Sequence, residues 1–178
     1  MRSFFVLAIL MTLSNLCFSQ MKVNGSDWLN KTLADSINNA IRIQVNKVVT
    51  KHKKMKEREL EFLKDTLEIE LYLDAAKKAV AYSDISTMRL IYEALEKYDV
   101  LLNKYYKQLL ANSISKQSLI ETQRAWITFR DREIDYYSYE TVGDEDLSNW
   151  GTLDRVLIAG FSLRLTKNRT IELFRGIK

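Results

Sequence analysis

The chain has no proline and only five glycines, at positions 25, 143, 151, 160 and 176. Proline breaks the helical hydrogen-bond ladder and glycine loosens it, so little here interrupts long helices. Cys17 is the only cysteine and His52 the only histidine, which excludes a disulfide framework and a Cys/His metal site. No Gly-rich phosphate loop is present, and paired carboxylates such as Glu133 and Asp135 are ordinary on helices and carry no catalytic specificity. The expectation is therefore a protein that is not an enzyme and needs no cofactor or metal. Charge of one sign is also scarce. The 27 basic and 23 acidic residues leave a formal +4, too little to argue for nucleic acid.

What is present begins with Arg2 and a continuous apolar run, Phe4 to Leu13, too short to span a bilayer comfortably. This reads as a signal peptide covering residues 1–19. Cys17 and Ser19 supply the small residues needed before a cut ahead of Gln20. The rival reading is a lipoprotein signal with Cys17 lipidated, which the bulky Leu16 opposes. Cleavage after Ser19 leaves 26 basic and 23 acidic residues, a net +3 and no thiol. Such a chain would be periplasmic or secreted and would rely on packing alone for stability. No second apolar run is long enough for a transmembrane helix.

The rest reads as all-α, an antiparallel bundle of long helices. Residues 20–82 form an N-terminal helical arm or hairpin, and residues 83–178 a second helical unit. Leu29, Leu33, Ile37, Ile41 and Val45 make one stripe after a cap at Ser26 or Asp27, and Leu60, Leu63, Leu67 and Leu71 a second. Between them the lysine-rich run 47–58 is either a continuous solvated helix or a bend. Ser83 or Asp84 caps a helix with Met88, Ile91, Leu95, Leu102, Tyr105 and Leu109 inward, ending near Asn112-Ser113. Leu119, Trp126, Phe129, Ile134 and Tyr137 mark the next, which stops before Val142-Gly143. A polar, acidic loop spans Gly143 to Gly151, and a last helix from Thr152 carries Leu153, Val156, Leu157, Leu163 and Leu165.

Three local features bear on binding. Gln123, Trp126 and Arg130 share one helical face, which joins a large ring to strong hydrogen-bonding groups and implies a partly polar docking seam. The lysine run 47–58 could meet an anionic membrane or lipopolysaccharide, but Glu57 and Glu59 dilute it, so it reads first as a solvated face with His52 at its surface. The acids Asp144, Glu145 and Asp146, flanked by Tyr136, Tyr137, Tyr139 and Trp150, lack the spacing of a calcium loop; with the amphipathic aromatics they make a candidate partner-binding surface.

The spacing of motifs in the C-terminal half, Asp99-Val-Leu-Leu-Asn103-Lys-Tyr-Tyr106, then Gln123-x-Ala-Trp126-x-x-x-Arg130-Asp131, then Thr166-x-x-Arg169-x-x-x-Leu173, resembles the LprI-like family of bacterial envelope proteins, often described as lysozyme inhibitors. The likeness covers about residues 85 to 176. It implies that Asp99, Asn103, Tyr106, Gln123, Trp126, Arg130, Asp131, Thr166 and Arg169 hold the fold, with Arg130 bonded to Asp99 or Asn103 on another helix. It also implies an exported, non-catalytic protein whose partner is lysozyme or another envelope protein or glycan. Members of the family usually carry cysteines where this chain has Ile134, Phe161 and Ile91, so an apolar contact between Ile134 and Phe161 is expected in place of a covalent tie. Lysozymes of the common type are strongly basic, so only a local acidic feature such as Asp144–Asp146 would steer the encounter. The alternative is a module that anchors to an envelope surface through the basic N-terminal segment.

Overall fold

A computed structural model describes residues 31–79, 84–143 and 150–177, and every regular element among them is a helix. They are α1 (Lys31–Lys51), α2 (Glu57–Ala79), α3 (Asp84–Asn112), α4 (Lys116–Val142) and α5 (Thr152–Gly176). The expected signal segment, the first cap and the acids 144–146 lie outside the described residues. The all-α expectation holds, and the boundaries of the last three helices fall close to where the caps and glycines placed them. Gly143 ends α4 in the left-handed conformation, φ 72°, with its N–H on the Tyr139 carbonyl at 2.7 Å. That backbone shape favours glycine.

The lysine-rich run resolves into a bend. α1 stops at Lys51, the Met55 N–H donates to the His52 carbonyl at 2.9 Å, and α2 starts at Glu57. The two helices fold back on each other. Ile37, Ile41 and Val45 pack against Leu67, Leu71, Tyr72 and Ala75, so this part of the first stripe is buried as its spacing demands. The second stripe needs correction. Leu60, Leu63, Leu67 and Leu71 are only half-buried, and the deepest residues of α2 are Ile69, Leu73 and Ala76. The physical reason is that α2 is covered on two sides, by α1 and by α3, so one four-residue stripe captures only one of its apolar faces.

The main core lies among α2, α3 and α5. The most extensive packing is between α3 and α5, which run parallel: Tyr98 lies near Lys167, Tyr105 near Phe174 and Leu109 beside Gly176. α4 returns antiparallel along their outside. Close approach is possible because α5 presents Ala159, Ser162, Thr166 and Thr170 to the interface. Two of these hydroxyls are satisfied within their own helix, Ser162 on the Ile158 carbonyl at 2.9 Å and Thr170 on the Thr166 carbonyl at 2.8 Å. Phe62 stacks on Phe174 with centroids 4.0 Å apart, and Tyr105 meets both rings edge-on, which closes one end of the core.

Candidate functional site

The residues of the three motifs converge where α3, α4 and α5 meet. Gln123, Trp126 and Arg130 do share one face of α4, and that face turns toward α5. Arg169 reaches across from α5: its Nε donates to Gln123 Oε1 at 3.1 Å, its Nη1 to Glu172 at 3.0 Å, and its guanidinium lies 5.7 Å from the Trp126 ring. Arg130 lies 5.4 Å from the same ring. Two guanidiniums thus rest against one indole, each kept there by a carboxylate. Gln123 is buried although polar, and its bond from Arg169 compensates that burial.

The carboxylate that holds Arg130 is not on another helix, as the motif pairing had implied, but is its neighbour Asp131. Arg130 Nε and Nη2 donate to Asp131 Oδ1 at 2.9 and 2.7 Å. Adjacent helical residues rarely face each other, yet the long arginine can bend back once its ring contact fixes the head group. Asn103 donates instead to the Asp99 carbonyl at 2.9 Å. The Asp99 side chain is half-buried on α3. Burial pushes its carboxyl above the usual aspartate value, against the opposing pull of nearby Arg130. Tyr106, also buried, has its phenol raised by the same cause, with Arg124 pulling the other way. Thr166 is fully buried in the α3–α5 interface.

A second polar seam, which the motifs do not announce, runs along α2. Glu70 accepts from Tyr98 and Lys167, both at 2.6 Å. Asp65 accepts from Tyr105 at 2.8 Å and from Lys104, which also meets Glu61 at 2.7 Å. Tyr72 donates to Glu93 at 2.7 Å. Burial raises the Glu70 carboxyl, but the bonds from Lys167 and Tyr98 outweigh it and hold the group below the ordinary glutamate value. The only trace in sequence was Tyr98 and Tyr105 seven residues apart on one face of α3. Their acceptors sit on another helix, where spacing within α3 carries no information.

The aromatic end of α4 lies apart from both seams. Tyr136 and Tyr139 are 63% and 54% exposed, Tyr137 turns inward, and Trp150, just before α5, is half-buried. Phe161 on α5 stacks on Tyr137, centroids 4.3 Å apart and planes 4° from parallel. An aromatic contact between the last two helices is thus made by Tyr137, one turn beyond Ile134. Phe129, Leu153 and Leu157, expected inward, are instead exposed. No group of three or more potential metal ligands occurs among the described residues.

Residues 75–173, which contain α3, α4 and nearly all of α5, match the family model described as lysozyme inhibitor LprI. The chain belongs to the LprI family. The matched segment takes in all three motifs and the whole Trp126 seam. No curated protein and no solved structure matches it.

Proposed function

We propose that this protein is an exported, non-catalytic LprI-family protein that binds and inhibits lysozyme through the end of the molecule where α4 gives way to α5. The family match over residues 75–173 carries this reading. LprI proteins belong to the cell envelope outside the cytoplasm and are inhibitors by family description. The Trp126 seam is the scaffold, since its arginines are already held by Asp131 and Glu172. The contact surface is the exposed pair Tyr136 and Tyr139, next in sequence to Asp144, Glu145 and Asp146. Acidic groups beside amphipathic rings suit an encounter with a basic, sugar-binding enzyme.

The test is lysis of bacterial cell walls by lysozyme, with and without excess of the chain starting at Gln20, at low and at physiological salt. Protection that weakens with salt, and weakens further when the three acids become amides, is the expected result. Absence of protection at either salt would sink the proposal.

A further inference from the structure

The distribution of charge along the fold points to a second surface, and we infer that the α1–α2 tip docks on an anionic phospholipid membrane. This inference does not rest on lysozyme binding. Residues 47–59 contain Lys47, Lys51, Lys53, Lys54, Lys56 and Arg58 against Glu57 and Glu59, a net +4 equal to that of the whole chain, so everything else sums to zero. The basic residues gather at one place because α1 ends at Lys51 and α2 turns back at Glu57.

Elsewhere five cations of the fold sit in ion pairs. Lys78 pairs with Asp74, Lys104 with Glu61 and Asp65, Arg130 with Asp131, Lys167 with Glu70 and Arg169 with Glu172. At the tip all five lysines are exposed, and none has an ion-pair partner among the described residues. The turn that presents them is fixed, since the His52 ring Nδ1 sits 2.9 Å from the Val48 carbonyl and the Met55 N–H closes onto the His52 carbonyl. Thr50 to Lys56 and Glu59 line a shallow open depression there.

Val48, Val49 and Met55 are half-buried, so the tip offers no protruding apolar wedge and the attachment is electrostatic. Docking this way also sets orientation. Arg58 lies over Phe174 near the end of α5, so the tip and the start of α5 are at opposite ends of that helix. The membrane-bound protein therefore holds Tyr136 and Tyr139 away from the lipid.

Flotation with vesicles tests this, using the chain from Gln20, which keeps every described residue. Wild type should float with phosphatidylcholine–phosphatidylglycerol vesicles, stay behind with phosphatidylcholine alone, and be released by salt. A lysine beside an anionic surface is worth roughly five-fold in affinity, so K51Q/K53Q/K54Q/K56Q should lose on the order of several hundred-fold. The four corresponding arginine substitutions should bind like wild type, and so should K77Q near the other end of α2. Circular dichroism on each variant shows that the fold is kept. Equal binding to neutral vesicles, retention by the glutamine variant, loss in the arginine variant, or displacement by inorganic phosphate at matched phosphate concentration would each overturn the inference. The glutamine variant should still protect cell walls from lysozyme if the proposed function holds, so the two readings fail separately.

Discussion

Helices α3 and α4 are nearly equal in length, 29 and 27 residues, yet α3 buries nine residues and α4 only Gln123 and Ser138. α3 is held by apolar area and by tyrosines whose hydroxyls are bonded to α2. α4 is held at a few points: Gln123 to Arg169, Trp126 among two guanidiniums, and Tyr137 on Phe161. The difference separates two roles. α3 builds the core, whereas α4 is clasped to it by directional contacts and leaves Phe129, Tyr136 and Tyr139 facing outward. A helix attached this way keeps much of its surface for something other than the core, and this one carries the motif from Gln123 to Asp131.

The contrast can be broken first in the core. Leu90→Ala, at a position with no exposed surface, should cost about 2–5 kcal/mol in denaturant unfolding, while Phe129→Ala on α4 should stay within about 0.5 kcal/mol. Equal losses would show that α4 is as integral to the core as α3. Trp126→Ala comes next, at about 2–3 kcal/mol, below the range for a fully buried tryptophan because the ring is only half-buried. A mutant that melts like wild type but fails to protect cell walls would move Trp126 from scaffold to binding surface. Gln123→Ala should cost about 1–2 kcal/mol by leaving Arg169 without one acceptor, and a double-mutant cycle with Arg169→Ala should show that the two losses are not additive.

The smallest effects are in pH dependence, and they have opposite signs for Asp99 on α3 and Glu70 on α2. Asp99 has its folded-state carboxyl raised above the ordinary 3.8, chiefly by burial. Its contribution is fully present below that value and is lost as pH rises through the raised one. Asp99→Asn should therefore gain on wild type as pH climbs out of the acid range. Glu70 is held below the ordinary 4.5 by Lys167 and Tyr98 despite burial, so its contribution is present above that value and lost as pH falls through the lowered one. Glu70→Gln should lag wild type near neutrality and converge with it in acid. Melting temperatures of the three proteins across that range give the answer, and parallel curves would remove both assignments.

Much of the fold was legible. The absence of proline, the capping residues and the apolar spacing in α1 and α3 point to an all-helical chain with nearly correct ends for its last three helices, because those signals are local. α2 is less legible, because a helix covered on two sides shows no single dominant stripe. Periodicity alone puts Phe129, Leu153 and Leu157 inward, because it cannot tell the clasped face of α4 or the uncovered first turns of α5 from a packed face. The seam around Trp126 was visible as a face. Its partners were less so, since a pairing inferred from motif order misses that Arg130 bends back to Asp131. The tyrosine–carboxylate seam on α2 was hidden, because each of its bonds joins residues at least 21 positions apart.

The parallel pairing of α3 with α5 also dictates when the molecule can become itself. Tyr98 meets Lys167 and Tyr105 meets Phe174 across nearly seventy intervening residues, so α3 must wait uncovered on one flank until that much more chain has emerged. Until then α2 and α3 can form a hairpin but cannot seal. Such a late seal leaves the apolar flank of α3 open until α5 arrives, so the native state is reached only when nearly all of the described chain is available.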